Sequence, residues 1–181
     1  AALLGFLNQL SVGLAIALLP IVVVYPLCKR FTYWPQAVLG MAFNWGILMA
    51  WADTTGSVGI EGVLVWLGAV AWQLGYDTVY AYVDREDDRK IGLHSTALRF
   101  GDSGRGWIAA FYAIALLLWI LSGTRITSAY GYYLMMTLIA IHFSWQLAKF
   151  DVSCPERGIP LFRSNTWVGI ALLLGAFAAG Y

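Results

Sequence analysis

Charge is what this chain has least of. Only 12% of its 181 residues are Asp, Glu, Lys or Arg, whereas soluble domains carry about a quarter. That scarcity excludes an ordinary water-soluble domain. Cysteine and histidine are sparse too. Cys28 and Cys154 lack the paired spacing of a zinc site, and His94 and His142 stand alone. Both histidines read as packing or loop residues. Basic residues exceed acidic ones by one, for a net charge of +1, so no nucleic-acid partner is expected. Low-complexity tracts and internal repeats are absent. The sequence opens Ala-Ala-Leu-Leu-Gly-Phe-Leu, without a methionine, a basic leader or a signal cleavage pattern. It reads as a single domain over 1–181 that begins inside an apolar helix, as an N-terminally truncated fragment would.

What is present in quantity is hydrophobic side chain: 60% of residues, with a mean hydropathy of +0.70. The apolar residues gather in runs near 4–27, 35–52, 59–82, 106–123, 130–148 and 165–181. A bilayer needs about 20 such residues per helix. The expected fold class is therefore all-α, a polytopic transmembrane helix bundle of about six helices with short connections. Pro20 should kink the first span, Pro26 should end it, and Pro35 suits the first turn of the second. Gly5, Gly13, Gly40, Gly46, Gly68 and Gly75 would allow close helix approach or leave room for a ligand. Aromatics near span ends, among them Tyr25, Trp107, Tyr130, Tyr132 and Trp167, fit interfacial belts, with about half expected to pack within the bundle.

The few charges are unevenly placed. Ten of the eleven Lys and Arg fall in connections after the first, third and fifth spans, leaving only Arg125 elsewhere. The positive-inside rule assigns the ten to the cytoplasm or mitochondrial matrix, in a bacterial or mitochondrial inner membrane. Cys28 and Cys154 share that reducing side, so no disulfide is expected.

On the same side lies Asp77-Thr-Val-Tyr-Ala-Tyr-Val-Asp84-Arg-Glu-Asp-Asp88. At about 100° per residue, Asp77, Ala81, Asp84 and Asp88 share a helical stripe roughly 60° wide, and Glu86 points away. Like charges on one face repel unless a cation lies between them. Hard oxygen ligands beside a small residue suit magnesium bound to a phosphate. Phosphate also needs cationic donors: Lys29 and Arg30 close the first inner loop, and Arg89 and Lys90 follow the acids; Arg30 would also grip a carboxylate. A structural alternative pairs Asp77 with Lys29, Arg30 or Lys90, and treats 84–88 as a solvated helix end matched by Arg85, Arg89 and Lys90. An ionised Asp at the bilayer centre costs on the order of 2.5–3.5 kcal/mol, less for Asp77 near the boundary.

The stretch from Asp77 to Asp88, continuing Arg-Lys-Ile-Gly-Leu-His-Ser-Thr-Ala, resembles the second aspartate-rich motif of UbiA-type intramembrane aromatic prenyltransferases. Tyr25-Pro-Leu-Cys-Lys-Arg30-Phe-Thr-Tyr-Trp-Pro-Gln36 and Leu39-Gly-Met-Ala-Phe-Asn44-Trp-Gly46 resemble the 4-hydroxybenzoate polyprenyltransferase branch. Phe162-Arg-Ser-Asn165 with Gly169 is similar to the inner loop before that family's last helix. The resemblance implies Mg2+-dependent transfer of a polyprenyl group from polyprenyl diphosphate to 4-hydroxybenzoate, for ubiquinone biosynthesis. It implies Asp84 and Asp88 as magnesium ligands, with Asp77 coordinating or orienting the acceptor. Lys29, Arg30, Arg89 and Lys90 become substrate contacts, with Asn44 and Tyr80 as further polar groups of the pocket.

The family's first aspartate motif has no counterpart here: Asn8, Asn44 and Asn165 are not followed by the required acids. The chain resembles the last six of nine helices and the end of the third, so these residues alone are expected to have little activity. Related transferases with other aromatic acceptors, an inactive remnant and a non-enzymatic membrane protein are the alternatives. Phosphoalcohol transferases need an Asp-Gly…Ala-Arg element that is missing. A transporter would place its acids nearer the bilayer midplane.

Overall fold

The computed structural model describes residues 7–180. Gly5, the first residues of the first apolar run and Tyr181 lie outside that range. Among these described residues nine α-helices follow in order: α1 Gln9–Phe31, α2 Pro35–Phe43, α3 Trp45–Thr55, α4 Ile60–Val83, α5 Arg85–Lys90, α6 Thr96–Phe100, α7 Gly104–Ile126, α8 Tyr130–Lys149 and α9 Gly158–Ala179. Over their described residues five of the six apolar runs are each helical in one piece and the second forms two helices, α2 and α3, while the short α5 and α6 lie between α4 and α7. Helical segments within Gln9–Phe31, Thr96–Ile126 and Pro155–Ala179 are long and apolar enough to cross a membrane. The 24-residue α4 and 20-residue α8 are of similar length, but Gln73, Asp77, His142 and Gln146 interrupt their apolar character.

Three boundaries differ from the sequence expectation. Pro26 does not end α1, which continues to Phe31. Its extra turn is held by Thr32 N–H donating to Cys28 O (2.9 Å) and by the His94 amide donating to Lys29 O (2.8 Å). The second rod breaks at Asn44, whose φ of −88° and ψ of 3° separate α2 from α3. The last helix starts at Gly158 rather than 165, so Phe162, Arg163, Ser164 and Asn165 are helical, not loop. Their polar groups find partners inside the bundle. Ser164 Oγ donates to Leu161 O (2.7 Å), and Asn165 accepts the Trp72 indole N–H (2.8 Å). Polar residues satisfied in this way hide a helix from hydropathy.

At the centre is α4, packed most extensively on α7 and also on α2, α3 and α9. Two of its glycines explain the closeness of α7. A Cβ on Gly68 would lie 2.5 Å from the Trp119 indole, and one on Gly75 would lie 2.5 Å from the Tyr112 ring. Trp119 and Tyr112 are buried, and the indole N–H donates to Val65 O (3.2 Å). Gly13 and Gly46 have open space instead, so they are not close-approach points. Among the span-end aromatics, Tyr130 and Trp167 are exposed, as a belt requires. Tyr132 is buried and donates to Trp119 O (2.7 Å). Both cysteines are free.

Gly75→Val should overpack the α4–α7 seam and destabilise the bundle by about 1–3 kcal/mol, whereas Gly13→Ala should be neutral or slightly stabilising. Thermal unfolding in detergent measures both. Equal melting temperatures for the two variants would refute the tight seam.

Candidate active site

The inner ends of five elements enclose a cleft of about 250 Å3. α1 contributes Tyr25 and Lys29, one turn apart, and α2 contributes Pro35, Gln36 and Leu39. Asp77, Tyr80 and Ala81 come from α4, Asp84 from its junction with α5, Asp88 from α5 and Phe162 from α9. The acidic stripe expected from helical spacing thus faces one space, although α4 stops at Val83. The stripe survives because Asp84 is close to helical (φ −87°, ψ −2°). The Asp88 amide also donates to Asp84 O at 2.8 Å, one regular helical bond across the junction.

Electrostatics sets the character of this cleft. Lys29 Nζ lies 3.3 and 3.5 Å from the two carboxylate oxygens of Asp88. The Asp88 side chain is only 7% exposed, against 35% for Lys29. Burial pushes the Asp84 carboxyl above its ordinary pKa, and the neighbouring Asp88 charge pushes the same way, with Lys29 opposing. Further in, Asp77 Oδ2 is buried and has no hydrogen-bond partner among the described residues. An unpaired buried carboxylate oxygen is costly unless a ligand, proton or cation completes it. Asp77 and Asp84 lie two turns apart, about 10 Å along a helix axis. Among the described residues, no three acidic, His or Cys side chains converge into a group able to hold one ion. The donors therefore fit a divalent cation held by Asp84 and Asp88 and completed by an incoming oxyanion, with Asp77 as a separate polar point.

The other residues singled out in the sequence go to different places. Tyr80 lines the cleft, its ring centroid 5.1 Å from that of Phe162. Arg30 is exposed and does not line it, because α1 turns Lys29 inward and Arg30 outward. Arg89 pairs with Glu86 (2.9 Å) and Lys90 with Asp87 (3.1 Å), both at the surface of α5. Those two ion pairs match the solvated helix-end alternative. Asn44 also stands outside the cleft. Its Nδ2 donates to Gly40 O (2.9 Å) and to Gln73 Oε1 (2.7 Å).

Sequence reasoning missed Gln36, Gln73 and Phe162 as site residues. Gln36 Oε1 accepts the Thr96 amide (3.2 Å), pinning α6 against the start of α2. Gln73 is 3% exposed and precedes Asp77 by one helical turn on α4. A glutamine one turn before an aspartate, inside an apolar span, was the available signal. Phe162 was concealed by the misplaced start of α9.

Residues 1–169 match the UbiA prenyltransferase family. Over 170 residues the chain is 41% identical to a mitochondrial 4-hydroxybenzoate polyprenyltransferase of Drosophila melanogaster, covering 93% of this chain and 43% of that protein. It is 39% identical over 171 residues to a 4-hydroxybenzoate octaprenyltransferase of Pseudomonas aeruginosa, covering 94% of this chain and 58% of the relative. The chain thus spans about half the length of these curated relatives. The apo structure of a UbiA homolog from Aeropyrum pernix K1 superposes with a TM-score of 0.79 at 23% identity, covering 98% of this chain and 66% of that one. At that identity the likeness establishes the fold.

Removing Lys29 strands Asp88 in a nearly buried position. Lys29→Met should therefore destabilise the bundle by about 1–3 kcal/mol, whereas Arg89→Ala, which breaks a surface pair, should stay within about 0.5 kcal/mol. Denaturation of both variants at neutral pH separates these outcomes, and an equal, negligible effect would deny the Lys29–Asp88 contact its structural weight.

Proposed function

The chain belongs to the UbiA prenyltransferase family, and from that premise we propose that it forms part of a membrane enzyme acting on polyprenyl diphosphate and 4-hydroxybenzoate. The reaction moves the polyprenyl group to the ring carbon ortho to the phenol, a step of ubiquinone biosynthesis. The observation that carries this reading is one cleft gathering Asp77, Asp84, Asp88 and Lys29 at the inner end of an apolar bundle. The activities named for the fly and Pseudomonas relatives support both substrates. The bundle lies in a bacterial or mitochondrial inner membrane, with the cleft facing cytoplasm or matrix, where ten of eleven basic residues lie.

Asp84 and Asp88 are the residues suited to hold Mg2+. When bound, the ion would neutralise charge on the diphosphate oxygens as the allylic carbon–oxygen bond weakens. That bond breaks with its electron pair leaving on the diphosphate. Ring π-electrons then form the new carbon–carbon bond, and the ring loses its ortho proton to regain aromaticity. Lys29, already directed at the cleft, adds fixed positive charge beside the leaving group. Asp77, whose buried Oδ2 has no partner among the described residues, would orient the phenol and take up the ring proton. Leu39, Tyr80 and Phe162 give the cleft an apolar and aromatic wall, which shields an allylic cation from water.

The complete protein should transfer a labelled prenyl group to 4-hydroxybenzoate only with a divalent cation. Asp84→Ala and Asp88→Ala should each lower turnover by at least about a hundredfold while the protein still inserts and folds. Turnover by either variant at the unsubstituted rate would overturn the assignment.

A further inference from the structure

A polarity relay runs from the helix break at Asn44 to the candidate carboxylate Asp77. Its first member is the Gly40 carbonyl, which can only accept. Asn44 supplies it with both its backbone N–H (3.2 Å) and its side-chain Nδ2 (2.9 Å). That contact fixes which end of the Asn44 amide is nitrogen. The remaining Nδ2 hydrogen goes to Gln73 Oε1 at 2.7 Å. Gln73 is 3% exposed and cannot turn to solvent. With its oxygen committed to Asn44, its NH2 is the group left for Asp77, which follows one turn further along the same face of α4. Close approach of α2 and α4 makes the relay short. A Cβ on Gly40 would lie 3.3 Å from Val70 O.

We propose that Gln73 is a positioning residue for Asp77, and that Asn44 acts by fixing the direction of the Gln73 amide. The proposal rests on the prenyl-transfer reading of the cleft. A Gln73 amide donor on one oxygen of Asp77 would fix the carboxylate, and Oδ2, buried and without a partner among the described residues, is left for the acceptor. A reversed Gln73 amide would set two oxygens against each other and rotate the carboxylate away. Asn44 therefore belongs to the machinery without touching the cleft. Gly40 O, at the end of α2, accepts from both the backbone and the side chain of Asn44, and this second bond sets the side chain's direction.

The test is a set of double-substitution cycles in the complete protein using Gln73→Met, Asn44→Ala and Asp77→Asn. Gln73→Met keeps the volume and should lower kcat about tenfold, with KM for the prenyl diphosphate within about twofold. In an Asp77→Asn background the same substitution should cost nothing further. Asn44→Ala and Gln73→Met together should be no worse than Gln73→Met alone. A merely structural glutamine would instead give independent, multiplying losses, and that result overturns the relay. If the unsubstituted protein fails to prenylate 4-hydroxybenzoate, the functional reading falls separately. The relay is then read from thermal unfolding of the same proteins, where non-additive melting shifts support it and additive shifts overturn it.

Discussion

A carboxylate held away from water in an apolar bundle must be given a counter-charge, a donor or a ligand, and the inner end of α4 is organised around that requirement. Asp88 takes the ammonium of Lys29, tying the last turn of α1 to α5. Asp77 follows the buried Gln73 by one helical turn, and its Oδ2 is buried without a partner among the described residues. Asp84 is left with neighbours that raise its proton affinity, burial first and Asp88 second. Three acids in one space thus acquire three environments. In the proposed reaction, that division would let one group of residues serve a leaving diphosphate and another serve an aromatic acceptor.

The packing exists to hold those positions. α4 is the element that touches most of the bundle, and its glycines let α7 approach closely enough for Trp119 and Tyr112 to be buried against it. The same logic operates on the other face, where Gly40 brings α2 close to α4 and the break at Asn44 turns a helix defect into a hydrogen-bond source. On the inner side, α5 and α6 close the floor of the cleft through Asp88, and through the Thr96 amide that Gln36 accepts. Rigidity and site are therefore one construction: the residues that make the helices fit also aim the carboxylates.

Much of this was legible in the residues alone. Hydropathy located the six rods because burial in lipid demands long apolar runs, and the 100° period placed Asp77, Ala81, Asp84 and Asp88 on one cleft. Pattern failed where tertiary partners override it. Pro26 looked like a stop, yet α1 continues because His94 and Thr32 occupy the exposed carbonyls of its last turn. Arg163, Ser164 and Asn165 looked like loop, yet Ser164 and Asn165 are satisfied within the bundle. Arg89 and Lys90 directly follow the acids and Lys29 and Arg30 are remote in sequence, yet geometry turns Lys29 toward the acids of the cleft and the other three away from it. Side-chain direction at a helix end depends on how the helix is rotated, and no spacing rule supplies that rotation.

The central claim is that Asp84 and Asp88 together receive a divalent cation once a diphosphate is present. Electron paramagnetic resonance of Mn2+ bound to the complete protein, titrated with a non-reactive prenyl diphosphate analogue, addresses it without relying on turnover. The account predicts a bound-manganese signal that Asp84→Asn or Asp88→Asn weakens by at least about tenfold in affinity. It also predicts that Glu86→Gln, on the outward side of α5, leaves the signal unchanged. An undiminished signal in both aspartate variants would contradict the account.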